Sequence, residues 1–160
     1  MEFLYTLCFI KCGENILMLN RNQAPWLGIW NGVGGKRKKG ESAIDCIQRE
    51  IFEETNIDIS KDQIIDKGVV TWNNDFKTPS LGLHLFFAEI PQDYEYATPV
   101  KTIEGILDWK PIDWVSNKEN LGVSYNIPYF IKQAIYEDTR YHYHCEFDGN
   151  LLKSVEVNRL

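Results

Sequence analysis

The run FLYTLCFI, residues 3–10, is apolar at odd and even positions alike. Successive side chains of a strand point to opposite faces, so a strand of this kind has to be covered on both sides. The run therefore predicts the central strand of a layered fold. Glu2 precedes it, no basic segment leads into it, and Lys11 ends it. It is too short to span a bilayer and lacks the flanks of a signal peptide.

The other elements read outward from that strand. NILMLN (15–20) follows the turn KCGE and should pair with it as a hairpin. GVVTWNND (68–75) and LGLHLFFAEI (81–90) read as strands separated by a loop around Pro79. GILDWKPIDWV (105–115) gives another short strand before a turn. Residues 42–56 read as a helix, and NIPYFIKQAIYED (126–138) as a second, with Pro128 in its first turn. YHYHCEF and LLKSVEV flank DGN, a hairpin signal. Strands with two helices interleaved irregularly predict an α/β sandwich with a mixed β-sheet and two main helices. With 160 residues and no repeat, linker or low-complexity tract, one domain over 1–160 is expected.

Composition narrows the function classes. A net charge of −6 argues against wrapping a nucleic-acid polymer, which leaves a basic footprint. No segment calls for a membrane. Cysteines 8, 12, 46 and 145 form no C-x-x-C pair and read as reduced thiols of a cytoplasmic protein. Against this acidic background, WNGVGGKRKKGE (30–41) holds four glycines and the consecutive cations Lys36, Arg37, Lys38 and Lys39. Such a cluster suits a small anion. His142 and His144 alternate on one strand face without a second ligand cluster and read as surface or partner-facing histidines. Trp26, Trp72, Trp109 and Trp114 read as core or pocket walls.

The helix ESAIDCIQREIFEETN carries an apolar stripe of Ile44, Ile47 and Ile51. Beside it, Glu50, Glu53 and Glu54 stand at i, i+3 and i+4, with small residues Ala43 and Cys46 one to two turns earlier on that face. Like charges at this spacing repel by about 0.2–0.5 kcal/mol per pair, and the negative end of the helix macrodipole adds to the penalty. Arg49 can pair with Glu53 at i+4, but one cation does not balance three anions. A solvated acidic face is one reading. A hard divalent cation with oxygen ligands is the other.

Taken together, Gly35, Glu41 and REIFEETNI (49–57) resemble the Nudix box, G-x5-E-x7-R-E-U-x-E-E-x-G-U, where U is a bulky aliphatic residue. Eight of nine defined positions match: Gly35, Glu41, Arg49, Glu50, Ile51, Glu53, Glu54 and Ile57. Asn56 replaces the second glycine, and Asn is the next-best residue for the left-handed conformation that ends a helix. The resemblance implies a Nudix-type α/β/α sandwich and hydrolysis of a diphosphate with Mg2+ or Mn2+. Carried over by position, Glu50 and Glu54 would be metal ligands, with Glu53 completing the cluster and the Gly35 carbonyl joining it. Arg49 would orient the glutamates and Glu41 would tie loop to helix. A catalytic base could be a box glutamate or Glu104, in VKTIEGI. Gly34 would let the backbone approach the phosphate, and Lys36 would reach it; Lys38 and Lys39 form a rim.

LYTLCFI, WNGVGGK and the terminal hairpin are similar to the MutT-like branch that hydrolyses oxidised purine nucleoside triphosphates such as 8-oxo-dGTP. This implies a small-molecule nucleotide substrate, release of monophosphate and pyrophosphate, and base recognition by Asn31, with Thr6 and Arg21 lining the same pocket. The branch's Trp-Pro-Asp-Asp stretch is replaced by NKENLGVSYNIP, where Glu119 is the nearest acid. Action on another nucleoside diphosphate derivative, or nucleotide binding without hydrolysis, are the alternatives. A monomer and a dimer both fit.

Overall fold

The computed structural model describes residues 2–73 and 82–160. Its strands are β1 (Tyr5–Cys12), β2 (Asn15–Arg21), β3 (Trp30–Asn31), β4 (Val33–Lys36), β5 (Ile64–Trp72), β6 (Gly82–Glu89), β7 (Val100–Lys101), β8 (Gly105–Pro111), β9 (Tyr141–Asp148) and β10 (Leu151–Arg159). The helices are α1 (Ala43–Thr55), α2 (Ile112–Val115) and α3 (Ile131–Tyr136). The sheet runs β10-β9-β5-β6-β1-β2-β8-β7. The β1–β6 and β5–β9 pairs are parallel and the others antiparallel, so the sheet is mixed.

β1 is central, and its alternation divides the interior in two. Leu7 and Phe9 pack with Met18, Leu85 and Phe87 against Val115, Phe130 and Ile131 on the α2/α3 side. Cys8 and Ile10 pack with Leu17, Phe86 and Ala88 against Ile47 and Ile51 of α1 on the other. Each fully buried isoleucine of α1 contributes about 1.5–3 kcal/mol. That burial holds the helix to the sheet despite its crowded acidic face.

The hairpin strands β1 and β2 pair only beside their turn, Lys11 with Ile16 and Cys12 with Asn15. Beyond that they diverge, and the fork is filled by β3 against β2 and β4 against β1. Glycine is required where β4 passes β1: a Cβ on Gly34 would lie 2.0 Å from the Thr6 carbonyl oxygen. The helix that follows starts at an N-cap, Ser42, whose hydroxyl accepts from the Asp45 N–H at 3.2 Å. It ends at Asn56, in the left-handed conformation (φ 62°, ψ 10°), as expected for the residue in the glycine's place.

The expected second helix over 126–138 is shorter and broken. A 3₁₀ turn spans Ile127–Tyr129, Phe130 leaves helical geometry (φ −133°), and α3 stops at Tyr136 because Glu137 is extended. The buried Lys67 amine donates to the Glu137 carbonyl and so caps the end of α3. The turn expected after β8 is the single helical turn α2. β5 begins four residues before the expected Gly68, at Ile64. Asn74, Asp75, Pro79 and Leu81, parts of the expected strands and their loop, lie outside the described residues. Among the described residues, no helix is long and apolar enough to cross a membrane.

Candidate active site

The fork in the sheet sets the glycine strand directly against α1. A Cβ on Gly35 would lie 2.4 Å from the Glu50 carboxyl carbon, so glycine is needed for that carboxylate to reach the strand. One turn later Glu54 lies against the Gly34 backbone. Glu104 reaches the same place from the loop before β8, where the Thr102 hydroxyl accepts its N–H at 3.2 Å and the Asn22 N–H donates to its carbonyl at 3.0 Å. Sequence distance conceals this meeting, and the topology produces it.

Arg49 organises the acidic face. It donates twice to Glu41 (2.7 and 2.9 Å), to Glu50 at 2.8 Å and to Glu53 at 3.1 Å. The Glu41 side chain, 13% exposed, also accepts from the Lys38 N–H at 2.8 Å. Arg49 first, and then that amide, hold the Glu41 carboxyl down at about 2. Glu50 moves the other way, raised mainly by burial and only partly offset by Arg49. Glu54 is pushed up to about 10 by burial first, then by Glu104 and Glu50 beside it. Its Oε2 is buried without a hydrogen-bond partner among the described residues. Glu53 is different, half-exposed on the outer side of the helix and held through Arg49.

A buried carboxylate oxygen lacking a donor, beside two further carboxylates, fits a hard cation that takes oxygen ligands. The described groups do not form a ready-made cage of three ligands, since Arg49 holds Glu50 and Glu53 toward itself. A cavity of about 330 Å³ opens beside Glu50 and Glu104, lined also by Tyr5, Arg21, Gly34 and Lys36. Arg21 Nε is buried there without a partner among the described residues. Two cations thus face a cavity whose floor is carboxylate and glycine backbone. A second cavity of similar volume lies across Glu53 and Glu54, against Tyr96 and Lys101.

Several sequence expectations shift in place. Thr6 does not line the cavity: it is 3% exposed beneath the glycine strand, its hydroxyl 3.3 Å from the Gly35 carbonyl. Parity explains this, because residue 6 shares its face with Cys8 and Ile10 and so points toward α1. The Gly35 carbonyl is turned to Thr6 and Cys46, not to the carboxylates. The small residue Cys46 leaves no open space, since the glycine strand fills it. Arg21 lines the cavity together with Lys36, Glu50 and Glu104. Asn31 Oδ1 accepts from the Gly32 N–H at 2.8 Å, and Asn31 is not among the residues lining the cavity.

Arg37, read with the cationic cluster, is committed internally to the Glu41 and Phe3 carbonyls. Glu119 sits in an exposed turn, its N–H bonded to Asn117 Oδ1 at 2.9 Å. Tyr5, Asn22 and Gln23 line the cavity and carry no motif that would have singled them out. Lys110 lies over the Trp30 ring at 4.4 Å and the Trp114 ring at 5.5 Å, forming an aromatic wall on the α2 side.

A family model described as the NUDIX domain matches residues 4–132. The chain is 27% identical over 112 residues to an oxidized purine nucleoside triphosphate hydrolase of Mus musculus, covering 70% of this chain and 68% of that protein. It is 30% identical over 112 residues to the uncharacterized Nudix hydrolase YvcI of Bacillus subtilis, with the same coverage. Among solved structures, a mutator MutT protein from Bacillus halodurans superposes with a TM-score of 0.76 at 24% identity, covering 96% of each chain. The NUDIX domain of Shewanella oneidensis NrtR, crystallised with ADP ribose, gives 0.66 at 18% identity, covering 84% of this chain and 86% of that one. At these identities the structural likenesses speak for the fold.

Proposed function

The chain belongs to the Nudix hydrolase family, and on that premise we propose that it hydrolyses an oxidised purine nucleoside triphosphate, such as 8-oxo-dGTP, to monophosphate and pyrophosphate. The observation that carries the reading is the unpartnered Glu54 oxygen, set among Glu50 and Glu104 beside a cavity that Arg21 and Lys36 also line. Nudix hydrolases use divalent metal ions on small nucleotide substrates; here Glu50 and Glu54 are the residues that would hold Mg2+ or Mn2+. When bound, the ion neutralises phosphate charge and acidifies water.

The chain's own groups account for the rest. Arg21 and Lys36 bind the phosphate oxygens, and the bare backbone of Gly34 and Gly35 in the cavity floor lets the phosphates approach closely. Arg49 keeps Glu41, Glu50 and Glu53 in register with the strand. Water adds to a phosphorus of the anhydride, the bridging oxygen leaves with pyrophosphate, and the water's proton passes to a carboxylate. Glu104 is the group we assign to that proton, because it lines the cavity and is not held by Arg49. Asn31 is assigned to the purine edge because its amide offers both a donor and an acceptor, although Oδ1 also accepts from the Gly32 N–H.

A panel of nucleoside triphosphates, normal and oxidised, assayed with Mg2+ or Mn2+ and with products identified, tests this. The expected result is monophosphate plus pyrophosphate, abolished by chelation and fastest with an oxidised purine. Asn31→Ala should cost about 5- to 150-fold in kcat/KM for the preferred purine and little for pyrimidines. Turnover indifferent to chelation would refute the metal mechanism, and binding without hydrolysis across the panel would make the protein a sensor. An equal loss on every substrate would leave Asn31 as the loop-holding residue that its bond to Gly32 describes.

A further inference from the structure

We propose that Thr6 is a positioning residue, holding the glycine strand at the contact distance from Glu50 that the divalent-ion site requires. The inference rests on the metal-dependent reading above and concerns a side chain that does not line the cavity.

Thr6 Oγ1 lies 3.3 Å from the Gly35 carbonyl oxygen and 3.3 Å from Cys46 Sγ, with both side chains buried. The hydroxyl approaches the Gly35 carbonyl more closely than the Cys46 thiol does at 4.0 Å, so its single proton is assigned to Gly35. The Cys46 thiol then donates to the hydroxyl's lone pair, and the sulfur in turn accepts from Arg49 Nη2 at 3.7 Å. The donors therefore run one way, from Arg49 through Cys46 and Thr6 to the Gly35 carbonyl. At the other end the same arginine grips Glu41, Glu50 and Glu53. Arg49 also donates to the Lys36 carbonyl at 3.2 Å, so helix and strand are joined twice, once by that bond above and once by this buried relay below.

Gly35 is clamped between the two. On one side its carbonyl meets Thr6; on the other, the Glu50 carboxylate fills the space a Cβ would need. A shift of the strand by a few tenths of an ångström changes the Glu50 position directly. Valine would match threonine in shape but remove the hydroxyl that links them, leaving the Gly35 carbonyl only the longer 4.0 Å approach of Cys46, which favours such a shift.

The test is Mn2+ binding to the nucleotide-free protein by calorimetry, for the wild type, Thr6→Val and Thr6→Ser. Thermal unfolding in chelator checks that each variant is folded. Thr6→Val should weaken Mn2+ by about 10-fold, at the low end for residues that orient ligands without touching the metal, and Thr6→Ser should recover most of the loss. Preference among nucleobases should not change in either. If Thr6→Val does not fold, Cys46→Ala carries the test, with Mn2+ binding weakened several-fold. Wild-type Mn2+ affinity in a folded Thr6→Val or Cys46→Ala would overturn the proposal, as would a changed base preference with Mn2+ affinity intact. A wild type that binds no Mn2+ would overturn the metal-dependent function itself.

Discussion

Two clusters of polar side chains stand on this sheet, and they are built on opposite terms. At the edge between β5 and β9, the Thr71 hydroxyl lies 2.7 Å from His142 Nε2 and 2.8 Å from His144 Nδ1. His144 Nε2 meets Glu146 at 2.7 Å. Each of these contacts can be made at once if His142 donates to Thr71, Thr71 donates to His144, and His144 donates to Glu146. At the fork between β1 and β2, by contrast, Glu54 Oε2 and Arg21 Nε are both buried without partners among the described residues, and two more carboxylates crowd the same place. Histidine is the commoner metal ligand, yet its cluster is closed on itself. The carboxylate cluster is complete only with something added. Between these two clusters, unmet hydrogen bonding tells site from network where residue type does not.

The sharpest way to break that contrast is to remove the cation that partly balances the carboxylates. Arg49, Glu41 and Glu50 have side chains only 20%, 13% and 13% exposed. Arg49→Ala would leave two buried carboxylates without their main partner, and should cost about 3–5 kcal/mol in denaturant unfolding. Arg49→Lys keeps the charge but not the fork that serves three carboxylates, and should fall between. A loss below about 1 kcal/mol would mean that these ion pairs behave as solvated surface pairs.

Glu54→Gln tests the other half, the unpartnered oxygen. Turnover should fall by about 10²- to 10³-fold, the scale for losing one group that stabilises transition-state charge. Stability should move the opposite way. The folded carboxyl is raised from 4.5 to about 10 by burial, Glu104 and Glu50. Its contribution is therefore fully present below about pH 4.5 and is lost progressively as pH rises toward 10. The metal-free wild type should weaken over that window, Glu54→Gln should weaken less, and added Mn2+ should restore the wild type alone. Parallel pH curves in chelator would show that Glu54 is not strained by its neighbours.

The residues that make this site were unequally visible in the sequence. The box from Gly35 to Ile57 is local, its spacing follows one strand, one loop and one helix, and the left-handed Asn56 cap could be read from it directly. The two-faced run at β1 fixed the layered architecture for the same reason. Thr6 and Arg21 were legible as residues but not as places: strand parity and the divergence of β1 from β2 decide what they touch, and both depend on pairings far along the chain. Tyr5, Asn22 and Gln23 reach the cavity through backbone geometry alone. The second helix is shorter than its apolar spacing implies, because that spacing continues through Phe130, where the backbone leaves helical geometry.

The smallest expected effect lies at the closed cluster, and it is the one that isolates the comparison. Thr71→Val keeps the shape of a β-branched side chain while removing the hydroxyl between two histidines. Both rings are only partly buried and can turn to water, so the loss should be about 1 kcal/mol, near the net worth of an ordinary hydrogen bond. Turnover and Mn2+ affinity should be unchanged, since none of Thr71, His142, His144 or Glu146 lines the cavity. Zn2+ should not raise the melting temperature of the wild type, because the hydroxyl already occupies the place where the two ring nitrogens converge. Zinc-dependent stabilisation that disappears in His144→Gln would show that this network opens for a ligand after all, and the contrast with the carboxylate site would then be one of occupancy, not of kind.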